Sequence, residues 1–371
     1  MLTPHEFHRY SRQVLLPGFG SEGQEKLKNA KVLVIGAGGL GSPILFYLAA
    51  AGVGTIGILD FDVVDISNLQ RQILFTTADV GKLKAVLAAE KIKALNPSIA
   101  THVFNVYVNA SNAMEIFSKF DLIVDGSDNL PTRYLVNDAC VLLDKPLIYG
   151  AIFQFEGQVS VFNELLNNGS RGPSYRDLFP HPPPPEMVPS CSEGGVLGVL
   201  PGIIGSMMAN EAIKVIAGIG DTLSGRLLLF DALDFTTRTL KIAVNSGKQK
   251  ISGLIDYEEF CNPQHEKTME EIEPAHASTL MAKNEILIID VREPFEFSAS
   301  NIGGINIPIK SIEDQLSLIS KSKSTLILCR SGGRSRQAIL KLQALGYTNV
   351  VNLKGGLLKW KEVVDRDFPL V

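Results

Sequence analysis

Short apolar runs and one apolar helix alternate near the start of the chain. Lys31–Ile35 is rich in β-branched residues and leads directly into a glycine-rich turn, after which an alanine-rich apolar stretch continues to Gly52. A second apolar run, Thr55–Leu59, follows and is closed by Asp60. This order predicts a strand, a helix and a second, parallel strand, which together form the βαβ unit of an α/β fold.

The alternation continues over the rest of the first half. Apolar periodicity predicts helices over about 82–95 and 202–217. Residues 163–190 include four consecutive prolines at 182–185, which no packed element tolerates, so we expect a long, mobile surface loop there. Shorter apolar runs predict the further strands His102–Val108, Asp121–Val124, Leu147–Tyr149, Gln158–Phe162 and Arg226–Phe230.

A second set of elements begins near residue 276. Strands are predicted at Ile286–Ile289, Leu326–Leu328 and Val350–Leu353, and a helix follows the second and the third. A polar stretch with an acidic run, 246–275, separates the two sets and is the candidate linker. We therefore predict two α/β domains, residues 1–245 with a mainly parallel sheet and a smaller one at 276–371.

Composition and charge narrow the class of protein. The chain has 371 residues, of which 45% are hydrophobic and 20% are charged, and its net charge is −4. These values describe a globular protein with an ample core and argue against nucleic acid or an anionic membrane as the main partner. No amino-terminal signal or membrane-spanning stretch is visible, and the 4 cysteines show no framework spacing. We therefore expect a cytoplasmic protein.

The turn after the first strand has the composition of a phosphate-binding loop. Gly36 and Gly38 allow the backbone to bend and to approach a phosphate, and Gly41 allows the following helix to pack closely on the strand. The start of the helix offers unpaired N–H groups and a positive dipole end to an anion. Asp60 ends the second strand, where a carboxylate can accept from ribose hydroxyls. Alone, this unit predicts a nucleotide site, and the default interpretation is a dinucleotide dehydrogenase.

Charged residues beyond the turn change that interpretation. Arg71 follows closely after the strand that ends in Asp60, where a dehydrogenase has no need of an arginine, and Lys84 stands on the next predicted helix. Asp128 and Asn129 follow a later strand, at the edge where open α/β sheets bind ligands. Cations and carboxylates around a glycine-rich turn suit a triphosphate with Mg²⁺ better than a nicotinamide.

These segments together resemble a known family. RYSRQ (9–13), GAGGLG (36–41), LDFD (59–62), SNLQRQ (67–72) and DGSDN (125–129) are similar to the motifs of the MoeB/ThiF/HesA adenylating enzymes, and the likeness covers about residues 1–245. Members adenylate the C-terminal Gly-Gly carboxylate of a ubiquitin-like sulfur-carrier protein. The resemblance implies ATP and Mg²⁺ as cofactors, with Asp128 as the Mg²⁺ ligand. It also implies a homodimer in which Arg12 reaches the phosphates bound by the other subunit.

The turn and the resemblance together define a candidate set for nucleotide binding and catalysis. Arg12, Arg71, Lys84 and Asp128 are the candidate catalytic residues of the first domain. The candidate ATP-binding residues are Gly36, Gly38, Gly39, Gly41, Asp60, Asp62, Ser67, Asn68, Arg71, Lys84, Asp128 and Asn129.

The second domain has a cysteine loop of its own. Cys329 follows a predicted strand, and the loop Cys-Arg-Ser-Gly-Gly-Arg-Ser-Arg opens a helix, so successive N–H groups and three arginines are expected to surround the sulfur and lower the pKa of the thiol. A cysteine-based phosphatase uses a similar loop and is a rival interpretation. With DVREPFEF (290–297) and LKGGLLKW (353–360), the domain resembles a single rhodanese domain, which implies that Cys329 carries sulfur as a persulfide. Where that family usually has His-Ile-Pro-Gly-Ala, this chain has Asn-Ile-Gly-Gly-Ile from Asn301.

Two further cysteines are weighed separately. Cys191 follows the proline-rich loop, and its counterpart in the first family is proposed to form an acyl or disulfide link to the carrier. For Cys191 a role in sulfur transfer and a role as spectator stay equally open. Cys140 lies in an apolar segment and is expected in the core.

A structural metal is expected to be missing. Many members of the first family hold Zn²⁺ with two Cys-x-x-Cys pairs, which here align with Ser174–Asp177 and with 261–264, so only Cys261 survives. Structural zinc requires four ligands. We predict no structural zinc site, although a mixed site of Asp177, His181, Cys261 and His265 is conceivable.

We therefore predict an enzyme that adenylates a sulfur carrier and then delivers persulfide sulfur to it, with a sulfur donor such as a cysteine desulfurase. The alternatives are a non-catalytic nucleotide-binding scaffold with a separate sulfurtransferase, and an NAD(P) oxidoreductase fused to rhodanese, which Arg71 disfavours. The pathway served, whether molybdopterin, thiamin, tRNA thiolation or another, stays open.

Overall fold

Alternate residues of the first strand enter two different cores. In β1 (Lys31–Ile35), Val32 and Val34 belong to one apolar core and Leu33 and Ile35 to another. Successive side chains of a strand point to opposite faces, so a strand with both faces buried indicates a parallel sheet covered by helices on each side.

The structure is a computed structural model that describes residues 1–183, 195–244, 251–261 and 270–370. The chain divides into two units, Met1–Pro263 and Gln264–Val371. Besides β1, the elements of the first unit are α1 (Pro4–Arg9), α2 (Ser11–Val14), α3 (Gly20–Asn29), α4 (Gly41–Ala51), β2 (Thr55–Leu59), α5 (Lys84–Leu95), β3 (Ala100–Phe104), α6 (Ala113–Ser118), β4 (Leu122–Asp125), α7 (Leu130–Leu142), β5 (Leu147–Phe153), β6 (Glu156–Phe162), α8 (Tyr175–Leu178), α9 (Leu200–Ala217), β7 (Arg226–Asp231), β8 (Thr237–Lys241) and α10 (Tyr257–Cys261).

The eight strands of the first unit form one sheet in the order β3-β2-β1-β4-β5-β6-β7-β8. The five strands from β3 to β5 run parallel, and β6, β7 and β8 continue the sheet antiparallel. The chain moves outward from β1 to β2 and β3, and then returns to the other side of β1 as β4. Such a reversal opens a crevice at the carboxyl ends of the strands, here between β1 and β4. The predicted α/β fold with a mainly parallel sheet is confirmed.

The second unit is a smaller parallel α/β layer. Its sheet has five strands in the order β11-β10-β12-β13-β9, and every pairing is parallel. Its elements are β9 (Glu271–Ile272), α11 (Pro274–Ala282), β10 (Leu287–Asp290), α12 (Pro294–Ala299), β11 (Ile305–Asn306), β12 (Thr325–Leu328), α13 (Gly333–Ala344), β13 (Val350–Leu353) and α14 (Gly356–Val363). None of the helices described in either unit is long and apolar enough to cross a membrane.

The predicted surface loop is partly folded. Within 163–183 the chain forms α8, and Tyr175 is buried in a cluster of aromatic rings. The expectation of an unpacked loop is therefore wrong for the part around α8, which this anchor and the Arg176–Asp138 ion pair fix, whereas 167–170 are exposed as expected. The rest of the predicted loop, 184–190, lies outside the described residues.

Other elements also differ from the predictions, and the helices α6, α7, α11 and α12 were not predicted. The strand expected at His102–Val108 is Ala100–Phe104, because this edge strand is half exposed and its apolar content does not mark its end. Strand β8 was not predicted, since all five of its side chains are exposed and show no alternation. The expected linker, 246–275, is shorter than predicted: α10 buries Tyr257 and Cys261 in the first unit, and β9 pairs with β13 in the second.

Candidate functional site

The glycine-rich turn begins with a backbone conformation that favours glycine. Gly36 has a φ angle of +83°, and a Cβ atom on Gly41 would lie 1.9 Å from the carbonyl oxygen of Gly36. The start of α4 therefore packs against the end of β1 more closely than any side chain allows. Gly38 and Gly39 line a cavity in front of this turn.

A buried carboxylate holds the turn in place. Asp60 accepts hydrogen bonds from the backbone N–H of Ala37 at 2.7 Å and from that of Asp62 at 2.8 Å. Burial raises the pKa of Asp60, and these two hydrogen bonds oppose the rise. Each carboxylate oxygen accepts only one of these bonds, so each keeps the capacity to accept another, for example from a ribose hydroxyl.

Lys84, at the start of α5, already has an acidic partner. Its Nζ donates to Oδ2 of Asp62 at 3.0 Å, and the lysine is only 5% exposed. Both residues line the cavity. An ammonium group has three N–H donors, so Lys84 can contact a phosphate without releasing Asp62.

Arg71 reaches the cavity from the end of a short 3₁₀ turn, Ile66–Asn68. Its Nη1 donates to the carbonyl oxygen of Ser67 at 3.1 Å. Ser67 and Asn68 do not line the cavity: Ser67 donates to the side chain of Asp65, and Asn68 accepts from the backbone N–H of Asp65. In this structure these two residues therefore shape the turn that presents Arg71.

The carboxyl end of β4 provides the opposite wall. Asn129 caps α7, since its side chain accepts from the backbone N–H of Thr132 at 2.9 Å, and Asp128 beside it is exposed at the cavity. Asp125 is buried behind them, and burial raises its pKa, although hydrogen bonds from Ser127 and the charge of Arg133 oppose the rise.

One cavity thus brings together most of the predicted residues. It is lined by Gly36, Gly38, Gly39, Asp60, Asp62, Arg71, Lys84, Asp128 and Asn129. Gly41 lies behind the turn, and Arg12 lies exposed on α2 and does not line the cavity of its own unit. Two further lining residues, Gln72 and Arg133, were missed by the sequence analysis. Arg133 could have been found from its position, because it is a cation one helical turn after Asn129, the residue that caps α7.

The cysteine loop of the second unit is compact. Cys329 directly follows β12 and is 1% exposed, and its Sγ accepts from the backbone N–H of Gly332 at 3.2 Å. Gly332 has a φ angle of +98°, which turns that N–H toward the sulfur. The hydroxyl of Ser335 lies 3.5 Å from Sγ and donates to Oδ1 of Asn352 at 2.6 Å.

Two of the three arginines in this loop have carboxylate partners. Arg334 binds Glu296 through two hydrogen bonds, at 2.6 and 2.8 Å, and Arg336 binds Glu271 at 2.9 Å. The expectation that all three arginines act on the sulfur therefore needs correction. The charges of Arg334 and Arg336 are paired with carboxylates of α12 and β9, so the groups closest to the sulfur are the N–H of Gly332 and the start of α13.

Asn301 occupies the place of the histidine found in many rhodanese domains. Its side chain donates to the carbonyl oxygen of Phe297 at 3.0 Å and accepts from the backbone N–H of Gly303 at 3.0 Å. The asparagine thus joins the end of α12 to the following turn.

The remaining candidate cysteines and metal ligands are dispersed. Cys140 is fully buried, and burial raises the pKa of its thiol well above the usual range, as expected for a core cysteine. Burial also raises the pKa of Cys261 to about 11. Asp177 accepts from Ser174 in a helix cap. Among the described residues no three potential metal ligands lie together. Cys191 and His265 lie outside the described residues.

Two family models match the chain. The ThiF family model matches residues 10–250, and the rhodanese-like domain model matches residues 273–363. The chain belongs to the ThiF family. Both resemblances predicted from the motifs are thereby confirmed, and the second unit of this ThiF-family chain is a rhodanese-like domain.

Relatives of the ThiF-family chain span both units. The probable adenylyltransferase/sulfurtransferase MoeZ of Mycobacterium tuberculosis is 46% identical over 378 residues, which cover 99% of this chain and 95% of MoeZ. The sulfur carrier protein adenylyltransferase of Thermus thermophilus is 54% identical over 266 residues, covering 70% of this chain and 98% of its own. The prediction of an enzyme of the adenylyltransferase and sulfurtransferase type is confirmed.

A solved structure agrees with the fold of the first unit. Escherichia coli MccB with ATP is similar with a TM-score of 0.56 and 23% identity, over 65% of this chain and 73% of its own. At this identity the likeness concerns the fold alone.

Proposed function

We propose that the first unit uses ATP to adenylate the C-terminal carboxylate of a ubiquitin-like sulfur carrier, and that Cys329 supplies persulfide sulfur to form a thiocarboxylate. The observation that supports this most is the single cavity in which Arg71, Lys84 and Asp128 surround the glycine-rich turn. The name of the Thermus thermophilus relative, a sulfur carrier protein adenylyltransferase, supports the same substrate class.

The first step needs charge placement more than acid–base chemistry. An oxygen of the carrier carboxylate attacks the α-phosphorus of ATP, the bond to the β-phosphate oxygen breaks, and pyrophosphate leaves. Two anions must meet and the leaving group gains charge, so fixed cations accelerate the step most where that charge develops. Arg71 and Lys84 have this role in our proposal, and Asp60 and the glycine-rich turn orient the nucleotide.

Asp128 is the proposed magnesium ligand. It is exposed at the cavity and has no hydrogen bond or ion pair within the described part of the chain, so both of its carboxylate oxygens are available to bind a metal ion. Mg²⁺ prefers one or two carboxylates together with phosphate oxygens, and it would neutralise charge on the phosphates.

In the second step the terminal sulfur of a Cys329 persulfide attacks the acyl carbon, and AMP leaves. The resulting acyl disulfide is cleaved by a further thiol, which releases the carrier thiocarboxylate and forms a disulfide with Cys329. Cys191 and an external thiol are both candidates for that thiol. A cysteine desulfurase is the proposed source of the persulfide sulfur.

The proposal also covers the oligomeric state, the compartment and the pathway. Arg12 lies outside the cavity of its own unit, which supports a homodimer in which each copy lends Arg12 to the other. Free cysteines that exchange sulfur suit a reducing compartment such as the cytoplasm. The pathway, with molybdopterin synthesis as one candidate, follows from the carrier. A non-catalytic scaffold is the alternative, and it would bind ATP without turnover.

The test is ATP–pyrophosphate exchange in the presence of a small protein ending in Gly-Gly, recovered by pull-down with the wild-type chain. Lys84→Ala and Asp128→Ala should each slow exchange by at least about a hundredfold, because each removes a group that stabilises charge in the transition state. Lys82→Ala is the matched control, since Lys82 is a neighbouring, largely exposed lysine. Undiminished exchange in both site variants, or nicotinamide reduction without exchange, would refute the proposal.

A further inference from the structure

Arg133, on the first turn of α7, is a partly buried cation with few hydrogen-bond partners in the described part of the chain. Its Nη2 donates to the carbonyl oxygen of Ser127 at 3.3 Å, and its Nε is shielded from solvent without a hydrogen bond in the described part of the chain. The guanidinium group has five N–H donors, so most of them are unused. A shielded, unsatisfied donor costs free energy, and a ligand bound in the cavity would satisfy the free donors of Arg133.

Two other shielded arginines form ion pairs with carboxylates, although Nη1 of Arg292 has no hydrogen-bond partner in the described part of the chain either. Arg292 is 0% exposed and binds Asp290 with three contacts between 2.7 and 3.1 Å, and Arg176 grips Asp138 with two at 2.7 and 2.8 Å. These two arginines serve the fold. Arg133 forms no ion pair of this kind, although it lines the cavity and its guanidinium carbon lies 5.8 Å from the centre of the Tyr149 ring.

Arg133 belongs to the β4 side of the cavity, whereas the glycine-rich turn and Asp60 follow β1 and β2. Asp128 and Asn129 line the cavity from the same side as Arg133, and Ile152 of β5 and Val196 add apolar side chains to the lining. This side therefore combines the proposed magnesium ligand with one cation whose N–H donors are mostly unused. A polyphosphate needs several donors, but a single carboxylate at the end of a slim peptide fits one guanidinium fork.

We propose that Arg133 binds the C-terminal carboxylate of the protein substrate and holds it for attack on the α-phosphate of ATP. This rests on the proposed function and adds a substrate-recognition residue to it. Arg133 stays protonated throughout: the carboxylate oxygen forms the bond to phosphorus, pyrophosphate takes the electron pair of the broken bond, and the arginine exchanges no proton. Its contribution is to offset the repulsion between the carboxylate and the phosphates and to fix the attack geometry.

The experiment compares one carrier in two forms. The Gly-Gly carrier recovered by pull-down, and the same carrier with a C-terminal amide, are titrated by calorimetry into enzyme saturated with a non-hydrolysable ATP analogue. The wild-type enzyme should bind the carboxylate at least about tenfold more tightly than the amide, as expected for a charge-assisted pair of hydrogen bonds. Arg133→Gln should bind both forms equally, and it should bind the ATP analogue alone as the wild type does.

Arg71→Gln is the matched control, with the opposite pattern: weakened binding of the ATP analogue and preserved discrimination between carboxylate and amide. Melting temperatures establish that the variants fold, and Arg133→Lys, which keeps the charge without the fork, should give intermediate discrimination. Full discrimination in Arg133→Gln, or a loss of ATP-analogue affinity equal to that of Arg71→Gln, would overturn the assignment. If the assignment of Arg133 fails in this way but the wild type still catalyses ATP–pyrophosphate exchange, the proposed function stands. A wild-type enzyme without exchange would overturn both the proposed function and the role of Arg133.

Discussion

Two carboxylates of the first unit, Asp79 and Glu6, each form an ion pair with a lysine, which lowers the pKa of the carboxylate. Asp79 accepts hydrogen bonds from Lys91 and from the backbone and hydroxyl of Thr76, and the pKa of Asp79 falls to about 2, chiefly through the bond from Lys91. Glu6 is held by Lys28 at 2.8 Å, and its pKa likewise falls to about 2. Both carboxylates are therefore ionised in the folded state down to pH values at which the unfolded chain is already protonated.

These shifts predict an acid-sensitive stability. The pKa of Asp in the unfolded chain is about 3.9, which is above the folded value. Asp79 therefore contributes its full stabilisation above about pH 5 and loses it as the pH falls toward 2. The melting temperature of Asp79→Asn should be lower than that of the wild type at pH 7, and the difference should shrink below about pH 4 and be nearly lost at pH 2. Calorimetric melts across this range test the point. Parallel curves at all pH values would show that Asp79 does not have a lowered pKa.

At the residue scale, the sequence predicted which residues lie near the glycine-rich turn better than it predicted their partners. Arg71, Lys84 and Asp128 were predicted to converge, and they line one cavity. The partners of the Cys329 loop were not predictable, because Glu296 lies 38 positions from Arg334 and Glu271 lies 65 from Arg336. Charge balance of this kind is set by tertiary contacts that no local pattern records.

The contact between β1 and α4 depends on the absence of a side chain. A Cβ atom on Gly41 would meet a backbone oxygen, which cannot move aside as a flexible side chain can. Gly41→Ala should therefore lower the free energy of unfolding by about 1 to 3 kcal/mol and weaken nucleotide binding, since the turn must open. Gly202→Ala is the control, because Gly202 of α9 has open space around it, and it should be neutral or stabilising by up to about 1 kcal/mol. Denaturant unfolding with and without an ATP analogue measures both. Equal behaviour of the two variants would contradict the close packing.

An ion pair and its aromatic neighbours join three helices close to Asp177 and Cys261, two of the residues considered for a mixed zinc site. Arg176 of α8 binds Asp138 of α7 and stacks on the ring of Phe260 at 4.8 Å, and the hydroxyl of Tyr257 in α10 donates to the same aspartate at 2.8 Å. We predict that protein purified without added metal contains no stoichiometric zinc and that chelators leave its melting temperature unchanged. One zinc per chain by elemental analysis would refute this.

The same cluster predicts a large cost for losing one charge. Asp138→Asn leaves the partly buried guanidinium of Arg176 without its counter-ion, so the free energy of unfolding should fall by about 3 to 5 kcal/mol. Glu115→Gln removes an exposed i,i+4 pair with Lys119 and should have no measurable effect. Chemical denaturation of both variants distinguishes the two cases. A small effect for Asp138→Asn would mean that the aromatic packing suffices.

Elements were predicted best where both faces are buried. The predicted bounds of β1 and β2 match those of the structure, because continuous apolar runs mark strands that are covered by helices. Strand β8 was missed for the opposite reason, since none of its side chains is buried, whereas helix α7 was missed although most of its side chains are buried. Periodicity reports burial, and an element without burial leaves no trace in it.

At the scale of the whole molecule, each unit brings one part of a two-step reaction. The first offers a cavity with cations and a candidate magnesium ligand, and the second offers a cysteine held by a backbone N–H at the start of a helix. Fold and family were predictable from the sequence because both units rest on continuous motifs.

The measurement that tests the account most directly follows the carrier itself. The wild-type chain, ATP, Mg²⁺, a persulfide donor and a reducing thiol are incubated with the Gly-Gly carrier, and mass spectrometry reads the carrier for one oxygen replaced by sulfur. The wild type should produce the thiocarboxylate, and Cys329→Ala should produce none while retaining full ATP–pyrophosphate exchange. Thiocarboxylate formed by Cys329→Ala at the wild-type rate, or none formed by the wild type, would contradict the account.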